Sequence, residues 1–469
     1  MSRRQYIKYA GAGFTAAVVA GLGYYATRPT LTETAVTRPT STETATAQSN
    51  LSPPTANFEY RPRYINPTSA DTIYFLNESR NSGSDTDLAY SWYVDDSAVA
   101  HSKDYSTQLP SDAIGTPHKV KLSACRGEQC SHVERIVQVD PDQLYPRSAL
   151  RTKIKGMGYD VGITWKPPNS WRSHRDLTDE QMKREVLDLI NSELGCNGIR
   201  IVGDENERIV RAARIAMQGS FEVILLSPVY IDQEIQATIG KVCGLADSAE
   251  TLKGQSDSEV ILVVGNESTL QTKGMYNAAT YFERMNEVTE HWGDERYQIK
   301  LNNFLKEMLS EVRNHFRGRL SYAKGSWEDI DWDRLGFDIV GLNEYLKPKW
   351  ESRSQYEENI RQMSRFKKPI FLTEFGCATY KGALQVGGAG NFPEYLANAV
   401  YDQEEQVRAI DEYVRAFRGI GEVDGCFLWT FLERNTNDTA AFGIMRYVEG
   451  GDPERKRGFY RYKSCERSA

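Results

Sequence analysis

Glu259-Val260-Ile261-Leu262-Val263-Val264-Gly265-Asn266-Glu267 is an apolar run that stops abruptly at an amide and a carboxylate. β-Branched residues dominate it, and apolar side chains occupy both alternating sets of positions. That is the pattern of a strand buried on both faces, as in a parallel sheet under helices. Pro369-Ile370-Phe371-Leu372-Thr373-Glu374 repeats it, again ending on a carboxylate. Working outward, six more such runs stand at 153–159, 198–202, 222–226, 320–323, 337–342 and 425–429. Helical patterns lie between most of them, at 178–193, 207–217, 296–316 and 403–418. Eight strand–helix units over residues 150–465 predict an α/β fold, a (β/α)8 TIM barrel. A doubly wound sheet would want a glycine fingerprint after its first strand. Gly156-Met157-Gly158 lacks the third glycine, so the barrel is preferred.

The chain has 469 residues, 40% hydrophobic and 26% charged, a globular composition with room for more than one domain. Its net charge of −7 argues against nucleic acid as a partner. Seven Cys in this length are not a disulfide scaffold, although Cys125 and Cys130 are spaced for a hairpin disulfide in an oxidising compartment. There is no Cys-x-x-Cys pair and only six His, so no metal and no cofactor are expected. A monomer is expected.

Ahead of the barrel the pattern changes three times. Arg3-Arg4 and Lys8 precede an uncharged run from Tyr9 to Thr27, which resembles a twin-arginine export signal. Its length suits a bilayer-spanning helix, and no small-residue cleavage site follows at once, so residues 1–27 are read as a signal or retained membrane anchor. Residues 28–55 are Thr- and Pro-rich, a linker without core-forming residues. Residues 56–142 alternate in period two, at 71–75, 89–94, 118–122 and 133–139, and predict a small β-sandwich. Tyr90-Ser91-Trp92-Tyr93-Val94-Asp95-Asp96 is similar to the tryptophan strand of PKD-type immunoglobulin-like domains, with Trp92 as the core tryptophan.

Barrel enzymes carry their chemistry at the C-terminal ends of the strands. Glu267 follows the fourth strand and Glu374 ends the seventh, so the two carboxylates face each other across the barrel mouth. A pair so placed can flank a glycosidic bond, one protonating the leaving oxygen and the other attacking the sugar. Asn266-Glu267 after strand four and Glu374 after strand seven resemble clan A, the 4/7 superfamily of retaining glycoside hydrolases. The resemblance implies Glu267 as acid/base, Glu374 as nucleophile and Asn266 as the ligand of the sugar 2-hydroxyl. It also implies Arg200 and Tyr345 as contacts of the nucleophile and Trp429 as the floor under the sugar. The third strand ends in Leu226-Ser227-Pro228-Val229-Tyr230, without the histidine of some families in the clan, which leaves the family open. Trp165, Trp171, Trp327 and Trp332 are read as sugar platforms or as packing, and Glu344 as a rival carboxylate. The expected function is a retaining β-glycoside hydrolase acting on extracellular poly- or oligosaccharide. The competing expectation is a non-catalytic carbohydrate-binding or adhesion protein on a degenerate barrel, which would have lost one of the two glutamates.

Overall fold

The computed structural model describes residues 53–467 apart from 62–71, 81–87, 109–117, 138–144, 166–170, 174–176, 392, 422, 433–440 and 449–452. The export segment and most of the linker therefore lie outside the described residues. Two compact units divide at residues 140 and 141.

The larger unit is a closed barrel of eight parallel strands in chain order. They are β1 (Ile154–Asp160), β2 (Gly198–Gly203), β3 (Val223–Pro228), β4 (Glu259–Asn266), β5 (Leu320–Lys324), β6 (Val340–Asn343), β7 (Ile370–Phe375) and β8 (Gly425–Leu428). β8 pairs back onto β1 and closes the ring. Every predicted strand is present. Alternate residues fill the interior: Val223 and Leu225, Ile261 and Val263, with Ile154, Ala323, Phe371 and Phe427 in one buried cluster. The intervening residues of β3 and β4, such as Ile224 and Leu262, are buried as well. Burial on both faces is why these strands read as continuous apolar runs.

Gly156 and Gly158, two glycines of the spacing that opens a nucleotide-binding turn, have a packing role instead. A Cβ on Gly156 would lie 2.2 Å from the Phe427 ring, and one on Gly158 2.8 Å from the Trp429 ring. The register is irregular where the site lies. It shifts between Val263 and Asn266 on β4, between Leu342 and Asn343 on β6, and between Leu372 and Phe375 on β7. Such irregularities re-aim the side chains that follow them.

The smaller unit has a three-stranded sheet (Phe58–Arg61, Thr72–Asn77, Tyr105–Gln108) and a four-stranded one (Ala89–Val94, Ser97–Ala100, His118–Arg126, Gln129–Val137). Trp92 is wholly buried between them with Phe58, Phe75, Val120 and Leu122, and its indole N–H donates to Ser102 O at 3.1 Å. It is a core tryptophan, as its strand suggested. Cys125 and Cys130 pair across the hairpin as a disulfide. Cys196, Cys243, Cys377, Cys426 and Cys465 are free and buried.

Candidate active site

Arg200 organises the barrel mouth from within. It lies on β2 with no exposed surface. A guanidinium this deep needs all its donors satisfied. Nη1 donates to Glu374 Oε1 at 2.7 Å and to Thr373 O at 3.0 Å. Nη2 donates to Asn266 Oδ1 at 2.7 Å and to Ser227 Oγ at 3.0 Å, and Nε donates to Ser227 Oγ at 3.2 Å. One side chain thus connects the ends of β2, β3, β4 and β7. It is no rim salt bridge.

Glu374 is nearly buried, and its second oxygen accepts from Tyr345 OH at 2.8 Å. Burial and the neighbouring Glu374 charge push the Tyr345 phenol well above its ordinary pKa, so it stays a donor. Glu344, the rival carboxylate, is tied up elsewhere: Lys347 Nζ donates to its Oε1 at 2.9 Å.

Glu267 has a different environment. Among the described residues no cation is bonded to it, and Asn343 Nδ2 donates to its Oε1 at 3.1 Å. Thr373 Oγ1 donates to Asn343 Oδ1 at 2.9 Å, which turns the amide NH2 toward Glu267 and Asn266 Oδ1. Burial, then the negative charge of Glu374, raise the Glu267 pKa from the ordinary 4.5 to about 8. Asn266 accepts both Arg200 and Asn343 on Oδ1, which leaves its own NH2 for whatever occupies the pocket.

Both glutamates line one pocket of about 260 Å³, together with Asn266, Tyr345, Trp327 and Trp429. Trp429 is partly exposed there and packs on Ile163, Val202 and Val229, with the Arg200 guanidinium 6.0 Å from its ring centroid. A second cavity of about 930 Å³ shares Trp292, Ser326, Trp327, Lys347 and Trp350 with the pocket.

All six residues singled out in the sequence therefore meet at the mouth. The tryptophans divide. Trp327 lines the pocket, whereas Trp332 is 1% exposed, packs edge-on against Phe337, and is a core residue. The side chains of Trp165 and Trp171 lie outside the described residues. Sequence reasoning missed Asn343, Thr373 and Ser227. Each is a polar residue at the end of an apolar strand, the same signal that marked Glu267 and Glu374. Among the described residues no group of three or more His, Cys, Asp or Glu side chains is placed to hold a metal ion.

A family match agrees with the fold. Residues 295–448, which contain β5 to β8, match the model of Glycoside Hydrolase Family 113. No curated protein matches the chain. Among solved structures the chain is similar to a GH113 β-1,4-mannanase, at a TM-score of 0.46 and 13% identity over 67% of this chain and 100% of that one. It is also similar to the β-glucuronidase of Ruminococcus gnavus, at a TM-score of 0.42 and 13% identity over 88% of this chain and 67% of that one. The barrel and the family match make the protein a glycoside hydrolase, an enzyme that cleaves O-glycosyl bonds.

Proposed function

We propose that the enzyme is a retaining β-glycoside hydrolase that cleaves a neutral poly- or oligosaccharide by double displacement. The observation that carries this reading is the unequal treatment of the two carboxylates. Glu374, held by donors from Arg200 and Tyr345, attacks the anomeric carbon. The C1–O bond to the leaving sugar breaks as the Glu267 proton passes to the departing oxygen. Glu267, now a carboxylate, takes a proton from water. The resulting hydroxide displaces Glu374 from C1, and the product keeps the β configuration. The Asn266 NH2 serves the sugar 2-hydroxyl, and Trp429 supplies an apolar face under the ring.

Two observations support a neutral chain as substrate. The cation among the described pocket residues, Lys347, is engaged by Glu344 at 2.9 Å and by Glu351 at 3.5 Å, so it is poorly placed to take a uronate carboxylate. The larger adjoining cavity, reached past Trp327 and Trp350, suits further sugar units. The test is hydrolysis of a panel of β-linked polysaccharides, headed by β-1,4-mannan, with Glu374→Gln as the inactive control. Product configuration is followed by proton NMR. Retention is expected, and an inverted product would overturn the mechanism.

The N-terminal segment completes the reading as an export address, with the mature protein outside the cytoplasm and held at the membrane by residues 1–27. The Cys125–Cys130 disulfide supports an oxidising compartment. Changing Arg3 and Arg4 together to Lys is expected to leave the protein in the cytoplasm, and unchanged export would defeat the twin-arginine reading.

A further inference from the structure

We propose that Glu328, a buried carboxylate outside the pair at the barrel mouth, is a positioning residue that aims Glu267 and fixes Trp327 in the wall of the same pocket. The inference rests on the assignment of Glu267 as the acid.

Glu267 sits at φ 43°, ψ 48°, a left-handed conformation that is strained for a non-glycine residue. Such strain persists only where the surroundings over-determine it. Here they do. The Glu267 amide donates to Ala323 O at 2.9 Å, and the Glu267 carbonyl accepts from the amides of Leu270 at 2.8 Å and Gln271 at 3.2 Å. The two amides between are those a short helix leaves unpaired at its start. The Ser268 amide donates to Tyr322 OH at 2.8 Å, and the Thr269 amide donates to Glu328 Oε1 at 3.0 Å.

Glu328 gathers the rest. Its Oε1 also accepts from Thr269 Oγ1 at 2.6 Å, and its Oε2 accepts from Tyr322 OH at 2.9 Å and from the Gly325 amide at 3.1 Å. Burial raises the Glu328 pKa above its ordinary value, and the four donors, all pointing at the carboxylate, oppose that rise and fit the ionised form; it is 3% exposed, and among the described residues no cation is bonded to it. The Thr269 hydroxyl, having given its hydrogen to Glu328, accepts from Trp327 Nε1 at 2.8 Å. One carboxylate thereby holds the turn behind the acid and the aromatic wall beside it. It serves electrostatically too. Its charge joins that of Glu374 in favouring the protonated form of Glu267, against Arg200 and the Asn343 amide.

The experiment compares Glu328→Gln, Thr269→Val and Glu267→Gln on aryl β-mannobiosides, or on the cellobioside pair if cello-oligosaccharide proves to be the substrate. Phenol is the poor leaving group and 2,4-dinitrophenol the good one. Glu328→Gln replaces an all-acceptor group with one that presents donors to donors. It is expected to lower kcat/KM about tenfold or more on the phenyl substrate. The dinitrophenyl substrate, which needs little acid assistance, should be far less affected. The alkaline limb of kcat/KM should move to lower pH, since a negative charge beside Glu267 has gone. Thr269→Val keeps that charge but removes the hydroxyl, so it should widen the leaving-group ratio and leave the limb in place. A merely structural role would lower both substrates together. An unchanged ratio in a folded Glu328→Gln overturns the proposal. If that variant does not fold, an unchanged ratio in Thr269→Val does so instead. Glu267→Gln should itself show the largest leaving-group dependence. If it shows none, the acid assignment falls, and with it the role given to Glu328.

Discussion

Glu267 and Glu374 are the same residue at the ends of two strands of the same barrel, and the protein treats them in opposite ways. Glu374 receives a guanidinium and a phenol, donors that stabilise negative charge. Glu267 receives one amide N–H, burial, and the field of two carboxylates. Chemical identity therefore says little about the role, and the neighbouring strand ends say most of it. A carboxyl raised by burial beside a carboxylate held by a guanidinium and a phenol is the physical signature of a divided acid and nucleophile.

The strongest way to break the comparison is to remove each member in turn. Glu374→Ala is expected to abolish turnover, a loss on the order of 10⁴-fold or more in kcat, because no other group can form the covalent intermediate. Added azide should not restore a product of retained configuration. Glu267→Ala should lose roughly 10²–10⁴-fold in kcat/KM on substrates with poor leaving groups and much less on activated ones. Here azide should rescue the rate with retention, since a small anion can replace the missing base. Identical profiles for the two variants would show that the asymmetry has no chemical meaning.

The same contrast marks what the sequence discloses. The eight strands were legible because burial on both faces leaves an apolar run with few interruptions, and the carboxylates were legible because they end those runs. Arg200 was legible only through a resemblance, since an arginine inside Gly198-Ile199-Arg200-Ile201 could equally be a rim charge. Its bonds to Ser227, Asn266 and Glu374 join residues up to 174 positions apart, a closeness that ring closure creates and no local pattern contains. Trp332 and Trp327 look alike in sequence, five positions apart, yet one is packed on Phe337 and the other opens on the pocket. Glu328 carried no signal, lying in a polar stretch that reads as a solvated loop.

A finer cut at the comparison is Tyr345→Phe. It removes the 2.8 Å phenol bond to Glu374 and leaves the Arg200 ion pair intact. A hydrogen bond to a charged group is worth about 1.5–3 kcal/mol, so kcat/KM should fall roughly ten- to a hundredfold. The loss should be similar for good and poor leaving groups, because the nucleophile serves both. A loss confined to poor leaving groups would place Tyr345 in the service of the acid instead.

The smallest effect is one of stability, and it should carry opposite signs at the two sites. Glu267 has a folded-state pKa near 8 against an ordinary 4.5. Between those values the folded protein keeps a proton that the unfolded chain gives up, so this group's contribution falls as pH rises and levels off above the folded pKa. Glu267→Gln cannot titrate. Its melting temperature should equal or trail the parent's below pH 4.5, then gain on it as pH rises to 8, by an amount on the order of a few degrees. Glu374→Gln should do the reverse near neutrality. It strips the counter-charge from Arg200, which has no exposed surface, and an unpaired buried charge is destabilising. Differential scanning calorimetry of the two variants and the parent across pH 4 to 9 measures both signs in one series. A pH-independent difference for Glu267→Gln, or a stabilised Glu374→Gln, would mean that the two carboxylates share one environment and that the division of labour lies elsewhere.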